Sequence, residues 1–500
     1  MKVHGDSYVT GAGSQRLESP TIVQLSAPFR NQGGAYPATM RHEIRRNRIF
    51  LIFMAISLIA AATVFNEITV TRYLSDDGIL AASTVWTIRA MQVAFAASGI
   101  AVLVRRRTLE IRPTQVLLSG VGIAMCVLYV FLTAQDALGS PANNYDMLPY
   151  IASAIEYDTA DINRIHIETY AAVKQSGVDF THGPYWEDMA ASPEHFHQLL
   201  PIYAVKPLYV LLIYALHKVG FAYVRSSVLI SVVSMVVAFL VIAVWLRRFI
   251  TGWWGALAIL VANIAALGEA ARLSTPDALS CLLTLLSLFL LVEKRRTELA
   301  YAILVLSLLA RPDNIVLAFA VVGYLHVAGP RFLSTSRLNI CLFVVTCGAL
   351  IVTVQHLTGY YGWWTTFAHT FTGFLKAPAE FNQPFSFSVY VKVLTNALRG
   401  DHLQHGMAFL GLFLLLTVTI ERPYFRGEQV YSHLSIAMAI ALIGRLILFP
   451  NWEDRFFVAY YSISVICFIG ALSLRMRRSA ALVPPGLGVG SEGLSLNESV

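Results

Sequence analysis

Hydrophobic residues in this 500-residue chain fall in long unbroken blocks, and that blocking constrains the fold more than any single motif. The blocks run at about 49–66, 82–104, 115–135, 226–246, 252–268, 278–293, 299–310, 314–329, 340–358, 406–420, 432–449 and 456–474. A further block, 206–222, is short, begins at Lys206-Pro207 and contains His217 and Lys218. Most are close to the roughly 17–25 residues that a helix needs to cross about 30 Å of hydrocarbon. Lipid offers no partner for open backbone groups, so helices are the natural spanning structure. Charged residues make up 13% of the chain, about half the share of a soluble domain. That is too little polar surface for one water-soluble core. The expected class is all-α: a polytopic helical membrane protein with about twelve transmembrane helices.

Positive charge sets the expected orientation. Residues 1–48 are polar, rich in Gly, Ser and Pro, and end in Arg45-Arg46-Asn47-Arg48, which reads as a disordered cytoplasmic tail. Arg105-Arg106-Arg107, Arg247-Arg248, Lys294-Arg295-Arg296, Arg331 with Arg337, Arg422 with Arg426, and Arg475 with Arg477-Arg478 all fall on the cytoplasmic side if 206–222 does not cross the bilayer fully. That block is therefore expected to be a juxtamembrane or re-entrant helix. The membrane domain spans 49–475, and 476–500 form a second disordered cytoplasmic tail. Arg89, inside the second block, must snorkel or pair. The net charge of +7 sits in these flanking clusters, so nucleic acid is not expected as a partner. The five cysteines all lie in apolar segments, which points to no disulfide framework.

This threading puts the elaborate loops on one, non-cytoplasmic side: a main loop at 136–205, a second at 359–405, and the turns Arg272 to Asp277, Arg311-Pro312-Asp313 and Asn451 to Arg455. Asp146 stands among aromatic and apolar residues near the membrane, where a desolvated carboxylate makes a better general base. Asp277 follows Pro276 at the mouth of a block, where it or Ser274 or Thr275 would cap the next helix. Asp313 could cap in the same way, with Arg311 snorkelling or paired. Arg455 and Arg445 form an electropositive spot suited to phosphate, because the guanidinium fork binds two oxygens at once. His195 and His197 stand at i and i+2, which on a helix point to different faces, so a metal site there is not expected. The aromatic run Tyr360 to Phe371 suits the membrane interface, or stacking against a sugar or an isoprenoid chain.

Taken in order, several motifs resemble those of the GT-C superfamily of membrane glycosyltransferases, especially the branch of protein O-mannosyltransferases and lipid A aminoarabinose transferases. They are Tyr145-Asp146 with Tyr150 and Ala154, Lys206-Pro207-Leu208-Tyr209, Trp245 to Phe249, Arg272 to Asp277, and Arg311-Pro312-Asp313. The resemblance runs from about 140 to 330 and more loosely to 475. It implies a GT-C-like fold whose large first loop carries juxtamembrane helices. It also implies an inverting transfer of a sugar from a polyprenyl-phosphate carrier to a hydroxyl acceptor on a lipid, glycan or protein. In that scheme Asp146 is the base, and Asp277 positions the acceptor or, in relatives that use one, helps hold a divalent metal. Tyr145, Tyr150, Lys206, Arg272, Arg311, Asp313, Arg445 and Arg455 bind substrate. Here two extra blocks precede the acidic loop, no large soluble domain follows the spans, and Lys206 is followed by one Pro where the family often has two.

A secondary transporter would also have twelve spans with both termini inside, but it should show two related halves and charge near the bilayer midplane. A flippase or polysaccharide polymerase without this chemistry, or a scaffold, is the other alternative. The absence of disulfides and of glycosylation-rich loops points to a bacterial inner membrane with the site on the periplasmic face.

Overall fold

Apolar sequence in low-dielectric surroundings closes its backbone hydrogen bonds internally, and the chain does so almost entirely as helix. The computed structural model describes residues 112–177, 180, 183–250, 254–328, 336–399, 401–421, 429–451 and 453–481. Blocks 49–66 and 82–104, Arg89 and the N-terminal tail lie outside them. In order, the helices are α1 (Arg112–Gly139), α2 (Met147–Ile155), α3 (Ile162–Gln175), α4 (Pro184–Ala191), α5 (Pro193–Ala204), α6 (Pro207–Lys218), α7 (Tyr223–Arg247), α8 (Trp254–Ile264) and α9 (Leu267–Arg272). Then follow α10 (Asp277–Val292), α11 (Thr297–Ala310), α12 (Asn314–Ala328), α13 (Arg337–Leu357), α14 (Trp363–Phe371), α15 (Phe387–Arg399), α16 (Asp401–Glu421), α17 (Val430–Leu448) and α18 (Val458–Ala481). Among the described residues the one β contact is an isolated parallel bridge between Ala142 and Leu273.

Among the described residues five helices are long and apolar enough to cross a membrane: Ser119–Gly139 within α1, then α7, α13, α17 and Val458–Arg477 within α18. Five shorter apolar helices accompany them: α8, α10, α11, Asn314–Val327 and Leu410–Ile420. The chain is thus a helical membrane protein. Helices α5 and α6 meet at 111°, so the 206–222 block is one arm of a sharply broken pair. The 252–268 block is likewise not a single helix. Ala266 takes a left-handed conformation (φ 54°), which ends α8 and turns the chain into the short α9. At the C-terminus α18 continues to Ala481, so the first residues expected in the tail are helical.

Small residues let the helices approach, as expected where hydrophobicity itself does not drive association in lipid. A Cβ on Gly255 of α8 would lie 2.6 Å from the Gly122 carbonyl oxygen of α1, and one on Gly444 of α17 would lie 2.7 Å from the Val316 side chain of α12. Along α7, Ser227, Ser231 and Ser234 are buried, and the Ser231 hydroxyl donates to the Leu273 carbonyl at 2.7 Å. That bond pins the turn after α9 against α7. Helix α18 is central, with 83% of its most apolar stretch buried, against 11% for α13, whose apolar surface is left largely open.

Between α1 and α7 the chain builds a small helical layer, α2 to α6. Every residue of α2 is buried, and Tyr150, Phe196 and Tyr209 belong to one apolar core around it. This layer sits at the end of the bundle where α7, α10 and α18 begin and α11 and α17 finish.

Candidate active site

The site is assembled from helix ends. Asp146 occupies the position before α2, yet its side chain caps none of that helix's amides. It accepts instead from Arg455 Nη1 at 2.8 Å, from the Tyr203 hydroxyl at 3.0 Å and from Asn144 Nδ2 at 3.4 Å. Its side chain keeps about a quarter of its surface open (27%). Arg455 arrives from a 3-10 turn, Asp454–Phe456, just ahead of α18, and its Nε also donates to Glu453 at 2.6 Å.

Asp277 is the first residue of α10 and is almost fully buried. The expected cap is absent: no side chain caps α10, and Asp277 receives the Thr275 hydroxyl at 2.6 Å and the guanidinium of Arg311. A buried carboxylate at a helix start needs a cation more than it needs amides already facing the helix dipole. Arg311 is therefore paired rather than snorkelling. It also grips Asp313 with Nε at 3.0 Å and Nη2 at 2.9 Å, a two-pronged geometry. Arg445, from the last turn of α17, reaches the same Asp313 at 3.1 Å. Its Nη1 donates to the Asn451 carbonyl at 3.5 Å, and its buried Nη2 has no acceptor among the described residues.

Lys206 stands at the α5–α6 break. Its ammonium donates to the Tyr150 hydroxyl at 2.6 Å and lies 4.9 Å from the ring centres of both Tyr150 and Tyr203. Among the described residues no carboxylate comes within ion-pair distance of it. Three guanidiniums crowd one phenyl ring: Arg311, Arg455 and Arg445 lie 4.3, 4.7 and 5.0 Å from the centre of Phe456. The ring face attracts each cation and separates all three.

These contacts set the ionisation. Burial works against a charged Asp146, but Arg455 and Lys206 outweigh it and hold the carboxyl below its ordinary value. For Asp313, too, burial is overridden by Arg311 and Arg445, and the carboxyl is driven well down. Burial pulls the Lys206 ammonium down to about 8, helped by the repulsion of Arg311 and only partly offset by Asp146. The sequence expectation that desolvation leaves Asp146 more basic is thus corrected. With Arg455 in contact, Asp146 is a firmly charged carboxylate.

Tyr145, Tyr150 and Arg272 take different places. Tyr150 joins the network through Lys206. Tyr145 turns away into an aromatic nest, its ring 3.9 Å from Trp186 and 5.9 Å from Phe180. Arg272 stitches the start of the main loop, donating to the Ser140 carbonyl at 3.0 Å while Ala142 N–H donates to the Arg272 carbonyl at 3.0 Å. Arg272 also lines a cavity of about 60 Å³ with Ala142, Ala266, Glu269, Leu273 and Arg455. This cavity touches the network through Arg455. His195 and His197 diverge to Asp188 (2.7 Å) and Glu156 (3.2 Å). Among the described residues no three His, Cys, Asp or Glu side chains converge as a metal-binding group.

Tyr203, Phe456 and Glu269 belong to the site and escaped the sequence reading. Tyr203 lies three residues before Lys206, in the last turn of α5, and that nearness in sequence is the one signal that could have found it. Phe456 and Glu269 carry no spacing that marks them. No family model, curated protein or solved structure matches the chain.

Proposed function

We propose that the chain is an inverting membrane glycosyltransferase that moves a sugar from a polyprenyl-phosphate carrier to a hydroxyl on a lipid, glycan or protein. The observation that carries this reading is a partly buried ammonium with no carboxylate in contact, Lys206, and a buried guanidinium nitrogen with no acceptor among the described residues, Arg445 Nη2, in a network whose Asp146 carboxylate remains partly open. A phosphate satisfies both cations, and a hydroxyl satisfies the carboxylate.

The chemistry follows from that arrangement. The donor phosphate draws Arg455 toward itself, with Arg311, Arg445 and Lys206 around it. Asp146 then loses its guanidinium partner while staying desolvated, which raises its basicity at the moment it is needed. Asp146 takes the proton of the acceptor hydroxyl. The acceptor oxygen attacks the anomeric carbon from the face opposite the phosphate, and the bond from that carbon to the phosphate oxygen breaks. The lipid phosphate leaves with the electron pair and needs no proton, because cations fixed in advance stabilise its developing charge. Asp277 and Asp313 hold Arg311 and Arg445 in place. None of these steps calls on a divalent metal. Twelve spans, a bacterial inner membrane and a site on its periplasmic face belong to the same reading, supported by the gathering of the loop motifs at one end of the helices.

The test is glycosyl transfer from a panel of radiolabelled polyprenyl-phosphate sugars, in membranes carrying wild type, Asp146→Asn or Asp146→Glu. Transfer by wild type, reduced about 10²–10⁴-fold in Asp146→Asn, is the expected result. Equal transfer by wild type and Asp146→Asn would remove Asp146 as the base. The Glu variant keeps a carboxylate and reports whether loss in the Asn variant reflects charge rather than folding.

A further inference from the structure

Helix α15 is the most one-sided of the described helices, and nothing in its own sequence explains why it remains unburied. Phe387, Tyr390, Val391, Leu394 and Leu398 recur at helical spacing along one side, while Ser388, Lys392, Thr395, Asn396 and Arg399 hold the other. No residue of the helix is buried. Phe387 is 69% exposed, Leu398 52% and Val391 39%.

Its depth is fixed by two anchors. The Tyr390 hydroxyl donates to the Ile447 carbonyl at 2.7 Å, and Tyr390 also lies 6.1 Å, ring to ring, from Trp363 of α14, whose Nε1 donates to the Leu448 carbonyl at 2.9 Å. Ile447 and Leu448 end α17, so α15 crosses the bundle at the level where a membrane-capable helix finishes. Arg445 lies in that same last turn, which puts α15 at the end of the bundle that carries the ion network. The preceding membrane-capable helix, α13, leaves an almost wholly unburied apolar surface, as a lipid-facing helix would. Within α15 the charged residues are Lys392 and Arg399, both basic, and the nearest acids in sequence, Glu380 and Asp401, lie outside the helix.

We propose that α15 is an interfacial helix lying in the membrane surface on the side of the ion network. Phe387, Val391 and Leu398 enter the upper acyl region, and Lys392 and Arg399 meet the headgroups of anionic phospholipids. Helices of this composition bind through buried apolar area together with attraction to anionic lipid. The inference holds whatever reaction the ion network performs.

The test uses the full chain reconstituted in bilayers of phosphatidylcholine, with or without phosphatidylglycerol. In Phe387→Trp, the emission added over wild type should be quenched by lipids brominated near the headgroup end of their chains and shielded from aqueous iodide. Quenching by iodide with no response to brominated lipid overturns the interfacial placement. Val391→Trp gives the same reading if the first variant folds poorly. Phosphatidylglycerol retained on the purified protein should fall about five-fold in Lys392→Gln/Arg399→Gln. It should not fall in Lys376→Gln, a basic residue off the helix. Equal retention in the double variant, or equal loss in Lys376→Gln, overturns the headgroup assignment.

Discussion

The two ends of the same helices carry polar clusters of similar composition and opposite completeness. Where α7 and α10 finish, Glu293 accepts from Trp245 Nε1 at 3.0 Å, from Arg248 at 2.8 Å and from the Tyr431 hydroxyl. Arg477 then closes over the carbonyl of Arg248 at 2.7 Å. One carboxylate is met by three donors, and the cluster ties α7, α10, α17 and α18 together. At the other end Asp146, Asp277 and Asp313 are matched by Arg455, Arg311 and Arg445, but Lys206 finds a phenol and one Arg445 nitrogen has no acceptor among the described residues. A closed cluster needs nothing further, whereas an open one is prepared for a ligand. A buried cationic nitrogen left without an acceptor is costly, and the one at Arg445 stands beside the carboxylates of the open end.

The comparison is broken or sharpened by substitution at both ends, and the largest contrast is in rate. Asp146→Asn should lose about 10²–10⁴-fold in transfer, while Glu293→Gln should keep turnover and lower thermal stability by about 1–3 kcal/mol. Comparable loss of transfer in both variants, at equal folded fraction, would end the distinction. Next in size is the cost of stranding a buried charge. Arg311→Ala leaves the buried Asp277 without its cation and should cost about 3–5 kcal/mol in denaturant unfolding. Arg248→Ala, at a half-open position, should cost about 1 kcal/mol or less. A smaller effect is expected at the ring that spaces the guanidiniums. Phe456→Leu should raise KM for the donor about five- to ten-fold with kcat little changed, and Phe456→Tyr should restore it.

The finest test is pH. Lys206 is held near 8 in the fold against 10.5 in an ordinary setting. As pH rises through about 8 the ammonium loses its proton, so kcat/KM should fall on that limb, and Lys206→Arg should carry the limb beyond about pH 10. Stability should move the other way. Between the folded and unfolded values the unfolded chain binds more protons, so unfolding free energy rises with pH across that window. Melting measured alongside kinetics separates the two.

What the sequence discloses follows the range of the interaction involved. Apolar blocks are local, and the helices at 223–247, 430–448 and 458–481 begin and end within a few residues of the blocks at 226–246, 432–449 and 456–474, apart from the longer C-terminal end of the last. The block at 252–268 misleads because alanine is silent about the left-handed turn at Ala266. Asp277 reads locally as a cap, yet its partner is 34 residues away, and that distance leaves no periodic trace. Asp146 and Arg455 could each be singled out by their surroundings. Their direct contact, and its effect on the ionisation of Asp146, required the fold. Phe456 was hidden by its ordinariness, since aromatic residues collect at membrane interfaces for reasons unrelated to a site.

The contact between Asp146 and Arg455 joins residues 309 positions apart. A ribosome adding about 5–20 residues per second needs roughly 15–60 s to travel from one to the other. Throughout that interval the main loop is already made while its guanidinium partner is still unwritten. The carboxylate must wait at the membrane in an unfinished protein, and docking of the last helix is the event that completes it. A chain stopped before Arg455 should therefore insert most of its apolar helices and still possess no site.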